Sequence, residues 1–356
     1  MSKEEKHTSA LHEKDGIQQP PSVNPNIKGK VKPIDSSQYI SEIKSGNTVF
    51  LSKAITLIES KNNKHKEKAN EILQGCLTHH NKSARIGITG VPGVGKSTFI
   101  EALGNYLTSL GSKVAVLAVD PSSSISKGSI LGDKTRMEDL VKNPDAFIRP
   151  SPSGNSLGGV ARKTRETIML CEAAGYDIII VETVGVGQSE TAVHSMVDFF
   201  LLLKLAGAGD QLQGIKRGII EMADAIVINK ADGDNVKRAK LARTEFKRAL
   251  QLYPPAESGW IPQVTTCSAI KKDNIDGVWN IITEFLDTTQ KNDSFQTRRA
   301  QQNKFWLLQT IEEQLKDNFY QHQEIKNKLS SYIEKVESGT LSPFKAAEEL
   351  LNLLSS

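Results

Sequence analysis

The chain has 356 residues, 38% hydrophobic and 24% charged, enough to bury a sizeable core and long for a single ordinary domain of about 100–200 residues. Lys and Arg number 45 against 41 Asp and Glu, and a net charge of +4 is too mild for a nucleic-acid footprint. Cys76, Cys171 and Cys267 lack metal-ligand spacing, no signal-like apolar run opens the chain, and the most apolar stretch, Phe199 to Leu203, is far short of a membrane span. Secreted, disulfide-rich and membrane classes are thereby excluded, and a reducing, cytoplasmic setting is expected.

Residues 1–46 carry Pro20, Pro21, Pro25 and Pro33 among many polar residues, and are expected to form a mobile tail. Over 47–82 the pattern is helical: Leu51, Ala54, Ile55 and Ile58, then Ala69, Ile72, Leu73 and Cys76, recur at spacings of three and four. The region 83–290 turns to short apolar runs, Arg85–Thr89, Val114–Val119, Asp177–Val181, Phe199–Leu203, Ala225–Ile228 and Gln263–Cys267, mostly separated by helix-period stretches such as Ser97–Leu110 before Gly111. Continuous apolar strands alternating with helices predict an α/β domain, a parallel sheet covered by helices on both faces. Across 291–356 the strands stop. Phe305, Leu308, Ile311, Leu315 and Phe319 form a helical stripe that Ile325, Leu329, Tyr332 and Val336 continue; Gly339 breaks it, and Ser342-Pro343 opens a last helix. That stripe must be buried on the α/β core or against a second subunit; the second reading makes this region a dimerisation arm.

The strongest chemical signal is Gly90-Val91-Pro92-Gly93-Val94-Gly95-Lys96-Ser97, followed by Thr98, a G-x-x-x-x-G-K-[ST] phosphate loop between a strand and a helix. Its glycines let backbone N–H groups and the helix N-terminus face phosphate oxygens. Lys96 can reach the β- and γ-phosphates, and the Ser97 hydroxyl can coordinate Mg²⁺. After the strand Ala225–Ile228 comes Asn229-Lys230-Ala231-Asp232, an N-K-x-D sequence at the strand end where α/β proteins bind ligands. A carboxylate there accepts the N1–H and N2–H₂ of guanine, a donor pair that adenine lacks, so GTP and GDP are the expected nucleotides. Cys267-Ser268-Ala269 ends the next strand and can close over the base.

Three acids compete for the Mg²⁺ and its water: Glu182 after strand Asp177–Val181, Asp120 after Val114–Val119, and Asp133 in Gly132-Asp133-Lys134. Spacing does not separate ligand from base among them. Gln188 could orient the attacking water or be structural. The glycine-rich stretch Ala206 to Lys216 is either a connecting loop or a third nucleotide-responsive loop.

Together these residues resemble one family, the GTPases associated with methylmalonyl-CoA mutase, of the MeaB/ArgK/MMAA type. The matching stretches are GVPGVGKST (90–98), DPSSS with GSILGDKTRM (120–124 and 128–137), SPSGNSLGGVA (151–161), VETVGVGQSE (181–190), GAGDQLQGIKRGI (207–219) and NKAD (229–232). The resemblance implies a homodimeric G protein that gates adenosylcobalamin delivery to the mutase, protects that enzyme, and hydrolyses GTP faster when bound to it. Cobalamin adenosyltransferase is a further implied partner. By position, the resemblance makes Lys96, Asp120, Asp133 and Glu182 the catalytic set, with Ser97 joining the three acids at the metal. It also assigns Asp232 with Cys267, Ser268 and Ala269 to the guanine, and residues 207–216 to an extra switch. Lys127 stands where a second glycine is expected, and Ala206 where a proline is. Rival readings are a kinase or ATPase of amino-acid transport, which the N-K-x-D element disfavours, and a metal-insertion GTPase, which the scattered histidines disfavour.

Overall fold

The computed structural model describes residues 34–60, 62–77, 83–119, 137–150, 157–183, 189–207, 217–254 and 256–354. Three helices come first: α1 (Ser36–Lys44), α2 (Thr48–Glu59) and α3 (Asn63–Cys76). Helix α1 corrects the expected tail, because Tyr39 and Ile43 sit one turn apart and are both buried. The Tyr39 ring meets Phe50 edge-on at 5.5 Å. The rest of that expectation, residues 1–33, lies outside the described residues. Asn47 caps α2 by accepting from the Val49 and Phe50 N–H groups.

A seven-stranded sheet follows, with every neighbour parallel: β1 (Ala84–Gly90), β2 (Val114–Val119), β3 (Ala146–Arg149), β4 (Ile178–Thr183), β5 (Phe199–Leu205), β6 (Ala225–Asn229) and β7 (Gln263–Thr266). The spatial order is β3-β2-β4-β1-β5-β6-β7. Six of these strands answer to the apolar runs. The edge strand β3 does not, since four half-buried residues between Pro144 and Pro150 give no run to read.

Between the strands lie α4 (Lys96–Ser109), α5 (Glu138–Lys142), α6 (Leu157–Ala173), α7 (Ser189–His194), α8 (Arg217–Met222), α9 (Val236–Leu250) and α10 (Ile275–Lys291). Alternation along β1, β4 and β5 sends Ile86, Ile88, Ile178, Ile180, Phe199, Leu201 and Leu203 to the face covered by α4 and α10, where they meet Phe99, Leu103, Ile282 and Phe285. On the other face, Leu202, Ile226 and Ile228 pack under α9 through Ala239, Ala242 and Phe246. Burial on both faces is why these strands read as continuous apolar runs. Helices α1 to α3 pack against α6.

The chain closes with α11 (Ser294–Gln321), α12 (Gln323–Glu337) and α13 (Pro343–Asn352). The first half of α11 is fastened to the α/β unit. Arg299 donates to both carboxylate oxygens of Asp198 at 2.8 and 2.7 Å, and Gln302 donates to the Val197 carbonyl. Trp306 donates its indole N–H to the Ser195 carbonyl, and the Arg85 and Arg165 guanidinium groups each lie 5.6 Å from its ring centroid. From Phe305 onward the stripe is uncovered: Phe305, Leu308, Ile311 and Leu315 are 45–63% exposed. The α/β core of the same chain therefore does not bury it.

Candidate functional site

The carboxyl ends of β1, β4, β6 and β7 gather the chemistry. Strand β1 runs directly into the phosphate-loop sequence, and the backbone there is one that glycine permits. Gly90, at φ +158°, approaches β5 so closely that a Cβ would stand 2.6 Å from the Leu203 carbonyl oxygen, and Gly95, at φ +91°, turns the chain into α4. Lys96 is buried and donates from Nζ to the Gly90 carbonyl at 2.8 Å, folding the loop around its own ammonium. On the first turn of α4, the Ser97 hydroxyl donates to Glu182 Oε1 at 3.4 Å; Glu182 is buried at the end of β4. A hydroxyl and a carboxylate so placed are the hard oxygen donors that a divalent cation takes beside a phosphate chain.

The N-K-x-D element is built onto the loop itself. Asn229 ends β6 and donates from Nδ2 to the Val94 carbonyl at 2.9 Å, while Lys230, at φ +58°, donates from Nζ to the Gly93 carbonyl at 2.9 Å. Asn229 Oδ1 in turn accepts from the N–H groups of Lys230 and Ala269. One asparagine thus ties the phosphate loop, β6 and the Cys267–Ala269 segment together. Asp232 accepts from the Ser268 hydroxyl, which fixes one carboxylate oxygen beside a recess lined by Gly95, Thr98, Asn229, Lys230, Ala269 and Ile270. Burial pushes the Cys267 thiol up to about 12, so it serves as a small packed side chain rather than a nucleophile.

Of the residues singled out from sequence, 90–98, Glu182, Asn229, Lys230, Asp232 and Cys267–Ala269 all lie at this end of the sheet. Asp120, Asp133, Lys127, Gln188 and the stretch 208–216 lie outside the described residues. Sequence reasoning passed over two features. One is the buried Thr89–Thr183 contact, hidden because each threonine merely ends an apolar run. The other is the Arg85–Glu172–Arg299–Asp198 network under α11, whose only sequence signal is an acid directly before β5. A cavity of about 650 Å³, lined by His194, Asp224, Phe285 and Arg298 among others, lies at the opposite, amino end of the strands and is separate from this site.

A family model described as methylmalonyl-CoA mutase-associated GTPase MeaB matches residues 51–324. The chain belongs to this family. Its relatives agree. A probable GTPase of Mycobacterium tuberculosis is 47% identical over 311 residues, covering 87% of this chain and 93% of that protein. GTPase ArgK of Escherichia coli is 43% identical over 320 residues, with 90% and 97% covered. The mitochondrial methylmalonic aciduria type A homolog of Mus musculus is 44% identical over 321 residues, with 87% and 77% covered. A crystal structure described as a LAO/AO transport system kinase superposes with a TM-score of 0.71 at 38% identity, covering 90% of this chain and 98% of the other. The protein is a GTP hydrolase on a phosphate-loop α/β sheet, and guanine nucleotide is its ligand. Among the described residues, no helix is long and apolar enough to cross a membrane.

Proposed function

We propose that this MeaB-family GTPase is a nucleotide-gated chaperone of an adenosylcobalamin-dependent methylmalonyl-CoA mutase, controlling cofactor delivery and protecting the enzyme. The observation that carries the reading is the welding of base element to phosphate loop through Asn229, Lys230, Val94 and Gly93. A loop that holds phosphate is thereby in register with the carboxylate that reads guanine. The family description and the names of the relatives supply the partner.

In this reading Lys96 neutralises the β- and γ-phosphates, and Gly90 to Thr98 cradle them. Asp232, oriented by Ser268, accepts from the guanine edge, while Asn229 and Lys230 brace the loop. Mg²⁺ supplies charge neutralisation at the phosphates; Ser97 and Glu182 are placed to hold it, with Asp120 and Asp133 as the remaining acids of the catalytic and metal set. The stretch 207–216 is the switch read by the mutase. The exposed Phe305–Leu315 stripe is the seam of a homodimer, and a cobalamin adenosyltransferase is the source of the delivered cofactor. The setting is cytoplasmic.

Phosphate release from GTP by the purified chain, measured with and without a cognate methylmalonyl-CoA mutase, tests this. Turnover should be slow alone and rise at least several-fold with the mutase; a stabilising group supplied by a partner raises GTP hydrolysis by about 10³–10⁵ in other GTPases. Unchanged turnover with a mutase that demonstrably binds the chain would overturn the chaperone reading and leave the GTPase assignment intact.

A further inference from the structure

Strands β1 and β4 are paired in register from Ala84 and Ile178 to Ile88 and Glu182, and there the pairing stops. Past that point each strand keeps only its other neighbour. Thr89 and Gly90 stay opposite Leu202 and Leu203 of β5, and Thr183 stays opposite Val119 of β2. The phosphate loop leaves from the end of β1, directly after these residues. Side chains join the two strand ends: Thr89 Oγ1 and Thr183 Oγ1 lie 2.9 Å apart, both buried. Alternation places Glu182 on the opposite face, where it meets Ser97. Packing alone does not call for hydroxyls here, since valine has the same shape and leaves no polar group to desolvate.

We propose that the Thr89–Thr183 hydroxyl bridge is a positioning device for GTP hydrolysis, fixing the spacing of the β1 and β4 ends and so where Glu182 stands relative to Ser97. The inference rests on reading Ser97 and Glu182 as the metal pair. Neither threonine needs to touch substrate; both act through the strand ends they join. Threonine is stiff at χ1, so the bond transmits backbone position rather than being absorbed by rotamer change.

The test uses the full chain with Thr183→Val, Thr183→Ser, Thr89→Val and the double valine variant, each checked by melting temperature. Loss of one positioning hydrogen bond should slow single-turnover GTP hydrolysis by about tenfold in Thr183→Val, with Thr183→Ser within about twofold of wild type. GDP affinity measured by calorimetry in EDTA should stay within about twofold of wild type, while the gain in affinity on adding Mg²⁺ shrinks. The double variant should be no worse than either single one, because all remove the same bond. A Thr183→Val chain with wild-type hydrolysis and wild-type Mg²⁺ response overturns the proposal, as does one that loses GDP affinity even in EDTA. If wild-type GDP affinity ignores Mg²⁺, the metal reading of Ser97 and Glu182 fails first and takes the inference with it. Should Thr183→Val melt early, Thr89→Ser against Thr89→Val makes the same comparison from β1.

Discussion

Replacing Asp232 with Asn isolates the base-reading interaction from the fold around it. The carboxylate is half-buried and accepts from the Ser268 hydroxyl through Oδ2, leaving Oδ1 and a second lone pair for a ligand. Asparagine keeps the shape and one acceptor, so the Ser268 contact survives, and melting should move by no more than about 1–2 °C. Toward guanine the change is severe. A bidentate, charge-assisted acceptor of two donors becomes one neutral acceptor beside an N–H₂ group that faces the guanine N2–H₂. Hydrogen bonds to a charged group contribute about 1.5–3 kcal/mol each, and partial exposure trims that, so the loss should be about 3–4 kcal/mol, on the order of 10²–10³ in Kd. Calorimetry with GDP avoids turnover. Xanthosine diphosphate, which carries an oxygen where guanine carries the amine, should gain affinity for the variant through the new amide donor. An Asp232→Asn chain that binds GDP within about threefold of wild type would refute the assignment of this carboxylate to the base.

Arg299→Ala should be strongly destabilising, because Asp198 is 1% exposed and loses two of the donors that compensate its charge. Orphaning a buried charge costs about 3–5 kcal/mol, or roughly 4–7 °C in Tm for a chain of this size, and calorimetric melting within about 2 °C of wild type would contradict the network's role. The pH profile of stability has two opposed contributors. Burial holds His194 down to about 4, with the Arg298 charge adding to the effect, so the unfolded chain binds this proton first and stability rises with pH between about 4 and 6.5. Burial pushes Asp224 up to about 6 against the pull of Arg298, so the folded chain binds that proton first and stability falls with pH between about 4 and 6. In wild type the two slopes offset. Asp224→Asn should unmask the histidine, with urea stability rising by up to about 2 kcal/mol from pH 4.5 to 6.5; a flat profile in that variant would argue against a neutral, buried His194.

Much of the site was legible because its residues sit at punctuation marks. A phosphate loop needs glycines at set intervals between a strand and a helix, and Asn229 to Asp232 begins where an apolar run ends, so position and chemistry coincide in the linear chain. The sheet was legible for a related reason: burial on both faces turns strands into unbroken apolar runs, and β3 escaped because an edge strand of four half-buried residues forms no such run. Helix α1 escaped because its core contribution is two residues, Tyr39 and Ile43, diluted in a polar stretch. The Thr89–Thr183 bridge and the Asp198–Arg299 pair join residues about a hundred positions apart, and their pairing is a property of strand order and helix docking rather than of local pattern.

The placement of α7 gives the two ends of the sheet a mechanical connection. This helix begins at Ser189, directly after the segment that leaves Thr183, and ends at His194, at the amino end of β5. At that end His194, held neutral by burial, accepts from Arg298 at 3.1 Å, and the next carbonyl, Ser195, accepts from Trp306. Both partners belong to the half of α11 fastened to the α/β unit, and the uncovered stripe lies on the same continuous helix. A helix of six residues is about 9 Å long and too short to absorb a displacement by bending. A shift of α7 would therefore reach α11 through two polar contacts. A rigid α11 in turn changes the direction in which Leu308, Ile311 and Leu315 are presented. Helix α7 and the helix that carries the apolar stripe are thus joined by packed structure, an arrangement that the proposed reading of nucleotide state by a second protein requires.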